Sequence, residues 1–175
     1  MTKENSNYDS GNDLNLEVAV LAGGCFWGVQ ELINDLEGVV TSEVGYTGGH
    51  LENPTYEDIC RGDTGHAEAI KIEFDPKLLS FDKLLDFFFT MHDPTTVNQQ
   101  GNDRGTQYRS AIFYTNEAQN SAAQKAIQRA QTSGLWKSPV VTELVPASEF
   151  FSAEGFHQDY LKKNPGGYSC HYIRG

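Results

Sequence analysis

Basic residues, long apolar runs and cysteines are all scarce, and each shortage excludes a class of protein. Lysine and arginine number 13 against 24 acidic residues, a net charge of −11. A phosphate-binding surface needs a basic stripe. Lys162, Lys163 and Arg174 are too few and too dispersed to make one, so nucleic acid is not an expected partner, and the acidity reads as a device for solubility. No apolar run approaches the ~18–20 residues that span a bilayer. The opening MTKENSNYDSGNDLN lacks the basic-then-apolar layout of a signal peptide. A cytoplasmic chain without membrane contact is expected. The three cysteines, Cys25, Cys60 and Cys170, are odd in number and irregularly spaced, which points to a reducing compartment rather than a disulfide scaffold. Neither C-x-x-C nor H-E-x-x-H occurs, so no metal is expected.

What is present suits one domain. The 175 residues fit the usual ~100–200 per domain. Residues 1–15 hold only Met1, Tyr8 and Leu14 as large apolar groups and read as a disordered tail. Residues 16–175 read as a single catalytic domain, with no internal repeat and no linker. Leu16–Ala22 has strand length and ends at Gly23-Gly24. Phe26, Val29, Leu32, Ile33 and Leu36 then recur at three and four, predicting a helix from about Cys25 to Gly38. Alternation predicts strands over 40–46, 67–74, 108–115 and 140–145. Helices are expected over 54–60, 78–92 with Ser80 as cap, 116–133 with Asn116 as cap, and about 150–161. The order gives an α+β domain around a mixed sheet. Between two of these elements lies HDPTTVNQQGNDRGTQ, residues 92–107. Structureless loops beyond ~12–15 residues are uncommon and usually functional or disordered, and Gly101, Asn102 and Gly105 favour an ordered, wrapped loop.

Cys25 is the leading candidate for chemistry. It follows two glycines at a strand end and opens a helix, where unpaired N–H groups stabilise a thiolate and lower its pKa; the alternative is a core cysteine filling the turn. Glu68 shares its strand face with Ile70, Ile72 and Phe74. It is therefore either buried, with a raised pKa that suits a general acid, or left in water at a frayed strand start. Phe26 fits the apolar stripe of its helix, whereas Trp27 falls beside it and can wall a substrate. Tyr56, Tyr108, Asp103 and His157 are candidate polar groups, Tyr108 being most simply a strand residue. Cys170 sits in NPGGYSCH, whose glycines make a flexible segment able to bring it to a reactive thiol; alone it is an unstructured tail cysteine. Cys60 reads as a core residue.

Four motifs in order carry a resemblance: Gly24-Cys25-Phe26-Trp27-Gly28, Gly65-His66-Ala67-Glu68, Gly101-Asn102-Asp103-Arg104-Gly105-Thr106-Gln107-Tyr108-Arg109-Ser110, and His157-Gln158-Asp159-Tyr160-Leu161. From about Glu17 to Cys170 the chain resembles the A-type peptide methionine sulfoxide reductases. The resemblance implies a ferredoxin-like α/β plait with extra helices and long ordered loops. It implies attack by Cys25 on the sulfur of the S epimer of methionine sulfoxide, free or in oxidised proteins, with Glu68 supplying the proton and Tyr56 and Tyr108 bonding the oxygen. Phe26 and Trp27 would hold the methyl group, Asp103 would help position the substrate, and His157 would stand behind them. A sulfenic acid on Cys25, a disulfide with Cys170 and reduction by thioredoxin would follow, with no bound cofactor. Some relatives carry two C-terminal cysteines; here only Cys170 lies there, implying a one-step relay. A monomer is expected. Two rivals remain at this level: a thiol hydrolase using Cys25 with His66 or His157 as base, and a non-enzymatic redox sensor or metal site built from Cys170, His171 and His50 or His66.

Overall fold

The computed structural model describes residues 15–175; all but the last residue of the expected 1–15 tail lies outside them. In chain order come β1 (Glu17–Gly23), α1 (Phe26–Asn34), β2 (Val39–Thr47), α2 (Tyr56–Arg61), β3 (Ala67–Phe74), α3 (Phe81–Met91), β4 (Gln99–Gln100), β5 (Asp103–Arg104), β6 (Ser110–Tyr114), α4 (Glu117–Thr132), β7 (Glu143–Pro146), β8 (Phe151–Ser152) and α5 (Tyr160–Lys163). Six strands form one sheet in the order β7-β6-β1-β3-β2-β8. All neighbours are antiparallel except β6 and β7, which makes the sheet mixed. The expected α+β class with a mixed sheet is what forms.

The central strands are apolar on both faces because both faces are covered. Ala19, Leu21, Ile70, Ile72 and Phe74 join the core beneath α1, α3 and α4, while Val20, Ala22, Ala67 and Ala69 join a thinner layer on the other side. Glu68 lies in phase with the first set and is 2% exposed, so the frayed-strand alternative fails. Two caps stand where the sequence places them. Ser80 Oγ accepts the Lys83 N–H at 3.1 Å and Asn116 Oδ1 accepts the Gln119 N–H at 2.9 Å, each worth ~1 kcal/mol.

Other expectations are corrected. Helix α1 stops at Asn34, because the chain turns through Gly38 at φ +100°. Tyr108 lies on a 3-10 turn, 106–108, ahead of β6, not on a strand. The start of the expected strand 140–145 is irregular, with the Val141 N–H bonded to the Pro94 carbonyl at 2.8 Å. The expected helix over 150–161 is replaced by β8, a 3-10 turn at 155–157 and α5, since Phe151 and Ser152 pair with Tyr46 and Gly45 at the sheet edge. Cys60 is exposed: on the two-turn α2, Ile59 takes the core-facing position instead. The 92–107 loop is ordered as expected. Its β4–β5 hairpin is held to Asp93 by the Gln100 side chain, which accepts the Asp93 N–H and donates to the Asp93 carbonyl, both at 2.8 Å.

Candidate active site

The site forms where β1 ends, α1 begins and β3 starts. Gly24 turns the chain at φ +95°, a conformation that strains any residue with a side chain. Cys25 is the N-cap residue of α1 and Phe26 its first helical residue. The free N–H groups of that helix end are divided between two acidic partners. The Phe26 N–H donates to Glu68 Oε1 at 3.2 Å, and the Trp27 N–H favours the Cys25 thiolate. The Cys25 thiol and the Glu68 carboxyl are thereby both held at the start of α1.

Their electrostatics differ from the simple helix-end expectation for Cys25. Burial, and then the Glu68 charge, hold its thiol well above the ordinary thiol range, outweighing the Trp27 N–H. Cys25 is 7% exposed, and its thiol spends most of its time protonated. Glu68 is pushed up to about 8, chiefly by burial and further by the Asp103 charge, while the Phe26 N–H acts in the opposite sense. It is a neutral carboxylic acid at pH 7. Tyr56 and Tyr108 are also raised, by burial first and by Glu68 next; the Cys25 charge acts on both. Two phenols, an uncharged acid and a thiol therefore lie close enough for burial and one another's charges to set their protonation.

Behind them lies an aromatic wall. Phe26 is core, whereas Trp27 is only partly buried and its indole stacks on Tyr160 with centroids 3.8 Å apart. Trp27 Nε1–H donates to His157 Nδ1 at 2.9 Å. His157 is fully buried beside Phe26 and Tyr56, and burial lowers its pKa. Neutral His157 thus carries its proton on Nε2, which has no protein partner. One connection has no readable signal in the sequence. Glu154 accepts the Tyr46 hydroxyl at 3.1 Å and the Tyr56 N–H at 3.0 Å, fixing the start of α2 against the sheet. Only the inward phase of Tyr46 with Val44 hints at half of it.

The C-terminal segment closes the site. Cys170 Sγ lies 3.8 Å from the Gln100 carbonyl, 3.9 Å from Asp103 Oδ2 and 3.8 Å from His171 Nδ1. Asp103 is raised by burial, against its hydrogen bonds with Tyr168 and Cys170. The three cysteines are free thiols.

The hydrolase reading needs an imidazole with a free lone pair beside Cys25. His66 accepts the Gly49 N–H at Nδ1, 3.0 Å, and donates from Nε2 to the Leu51 carbonyl, 2.7 Å. The Nδ1 lone pair of His157 is taken by Trp27, so neither ring can serve. Among the described residues no group of three or more His, Cys, Asp and Glu side chains is placed to hold a metal ion.

The family model described as peptide methionine sulfoxide reductase matches residues 17–175. The chain belongs to that family. It is 54% identical to the peptide methionine sulfoxide reductase MsrA of Methanosarcina acetivorans, over 85% of this chain and 79% of that one. Identity to the MsrA of Nocardia farcinica is 55%, over 89% of each chain. Among solved structures, Mxr1 from Saccharomyces cerevisiae in reduced form superposes with a TM-score of 0.87 at 38% identity, over 91% of this chain and 93% of that one. Mxr1 in complex with Trx2 gives 0.63 at 26% identity, over 98% and 97%. The chain is therefore a peptide methionine sulfoxide reductase, an oxidoreductase that reduces methionine sulfoxide. No described helix of this reductase is long and apolar enough to cross a membrane.

Proposed function

We propose that the reductase acts on the S epimer of methionine sulfoxide, free and within oxidised proteins, through Cys25, Glu68, Tyr56 and Tyr108. A sulfoxide oxygen leaves poorly until protonated. Glu68, neutral at pH 7, supplies that proton while the two phenols donate hydrogen bonds to the oxygen. Cys25 sulfur attacks the substrate sulfur, its own proton replacing the one Glu68 gives up; the substrate S–O bond and the transient S–S bond then break as the protonated oxygen passes to the Cys25 sulfur. The products are methionine and Cys25 sulfenic acid, so the oxygen ends on the enzyme and the thiol is oxidised by two electrons. Phe26 and Trp27 hold the substrate methyl, Asp103 positions the substrate's polar groups, and His157 holds the indole of Trp27. The observation that carries this reading is the Phe26 N–H bonded to Glu68 Oε1 next to Cys25. It keeps acid and nucleophile at one helix end, and neither His66 nor His157 is free to act as a competing base.

Cys170 then condenses with the sulfenic acid to a disulfide and water, and thioredoxin returns both thiols. The complex of the related Mxr1 with Trx2 supports this choice of reductant. No bound cofactor is required. The segment carrying Cys170 belongs to a single catalytic domain spanning 16–175, and the protein works as a cytoplasmic monomer. The run β1-α1-β2-β3-α3-β6, with strand order β6-β1-β3-β2 and all four antiparallel, supports reading the sheet centre as a ferredoxin-like plait. An assay with each sulfoxide epimer, with and without thioredoxin, tests the proposal. Turnover of the S epimer only, sustained only with reductant, is expected; equal turnover of both epimers overturns it.

A further inference from the structure

We propose that His171 is the general base for Cys170 in the disulfide-forming step, seated for that task in a notch of glycines at the start of α1. The inference rests on the sulfenic acid mechanism above and adds the proton acceptor that mechanism leaves unassigned.

The seat is built by small residues. His171 Nε2–H donates to the Gly23 carbonyl at 2.7 Å. A Cβ on Gly28 would lie 2.5 Å from His171 Nδ1 and 2.7 Å from Ser169 Oγ, and one on Gly24 would lie 3.3 Å from His171 Nε2. Two glycines flanking the nucleophile thus leave room for this imidazole. Farther along, the Arg174 N–H donates to the Thr90 carbonyl at 2.9 Å, which pins the segment on the other side.

The seat also selects the tautomer. A carbonyl can only accept, so the proton of neutral His171 sits on Nε2 and the Nδ1 lone pair is left over. That lone pair lies 3.8 Å from Cys170 Sγ. The thiol has two other acceptors within reach, the Gln100 carbonyl and Asp103 Oδ2. The carbonyl cannot take a proton, and Asp103 is already engaged in a hydrogen bond with Tyr168, whereas Cys170 is the hydrogen-bond partner of His171 Nδ1. Burial keeps His171 below its ordinary pKa, with Arg174 acting in the same sense, so the ring is neutral at pH 7. The groups that bear on it are Cys170 and Arg174 on its own segment, Tyr168 and, from β5, Asp103 through their bonds to Cys170, and His92 at the end of α3.

The step balances. Cys170 Sγ attacks the sulfur of Cys25 sulfenic acid as its proton passes to His171 Nδ1. The S–O bond breaks, the S–S bond forms, and hydroxide leaves as water with the proton that His171 returns. No external oxidant enters.

The test uses His171→Gln, whose side-chain amide keeps a donor for the Gly23 carbonyl but offers no basic nitrogen to Cys170. Reduced protein is mixed with methionine-S-sulfoxide without reductant. Released methionine, dimedone-trapped sulfenic acid and disulfide are each followed in time across pH 6–10. Relative to methionine release in the same variant, disulfide formation is expected to slow at least ~100-fold at pH 7, the usual scale of general base catalysis. Trapped sulfenic acid should accumulate, and the deficit should shrink as pH rises and Cys170 ionises unaided. An unchanged rate of disulfide formation overturns the inference, and so does a deficit of the same size at every pH, which belongs to a docking role alone. Methionine release from Cys170→Ser with no trapped sulfenic acid on Cys25 overturns the mechanism of the preceding subsection as well.

Discussion

Replacing Glu68 with Gln removes a proton while preserving shape. The Gln carbonyl can still accept the Phe26 N–H that Glu68 Oε1 accepts at 3.2 Å, so helix α1 and Cys25 keep their places. Three effects follow. The chemical step loses its acid and slows by at least ~100-fold at pH 7. In the unmodified enzyme that step falls about tenfold per pH unit above the Glu68 pKa of about 8, because the acid ionises; in the variant this falling limb is gone. The Cys25 thiol, raised in part by the Glu68 charge, titrates lower once that charge is removed. Stability shifts too. The folded pKa of Glu68, about 8, exceeds its ordinary 4.5, so between those values the unfolded chain ionises while the folded one holds its proton. The unmodified protein therefore loses up to about 1.4 kcal/mol of stability per pH unit across that window, relative to the Gln variant. Below it the Glu68 contribution is fully present. Rapid-quench methionine release from pH 6 to 10 and urea unfolding from pH 4 to 9 read these effects. A near-normal rate in the variant, or parallel stability curves, refutes the neutral-acid reasoning.

Cys170→Ser should release one equivalent of methionine per chain, then stall with thioredoxin while continuing with a small dithiol; full thioredoxin-driven turnover would mean that exposed Cys60, or direct attack by the reductant, does the resolving. Gly28→Ala places a methyl 2.5 Å from His171 Nδ1, so the C-terminal segment should undock and disulfide formation slow more than methionine release, read by thiol titration in time. His157→Phe removes the acceptor of Trp27 Nε1–H. An unpaired, part-buried donor costs ~1–3 kcal/mol, so the indole should reorient, KM rise more than kcat falls, and Trp fluorescence shift. Unchanged KM and emission would contradict the positioning role.

The sequence disclosed what short-range patterns encode. A period of two places Glu68 on the apolar face of β3, and Ser80 and Asn116 announce their helices because a cap is a contact across three residues. Two glycines before Cys25 mark a strand-to-helix turn. Contacts between distant segments escaped, since nothing local records them. The Trp27–His157 bond spans 130 residues and Tyr46–Glu154 spans 108. The stretch after Ala147 misled for the same reason: its aromatics look helical, yet sheet pairing with β2 decides their conformation. Cys25 shows how magnitude decides between opposing effects. A helix end lowers a thiol pKa by partial charge, but burial together with a neighbouring carboxylate outweighs it.

The central claim is that Cys25 sulfur takes the oxygen of methionine sulfoxide and Cys170 then displaces it. Mixing reduced protein with excess methionine-S-sulfoxide in the absence of reductant, then mapping the thiols by peptide mass spectrometry, tests that directly. The account predicts one methionine per chain, loss of two of the three free thiols, and a single Cys25–Cys170 disulfide with Cys60 untouched. Methionine formed while Cys25 remains a free thiol would contradict it.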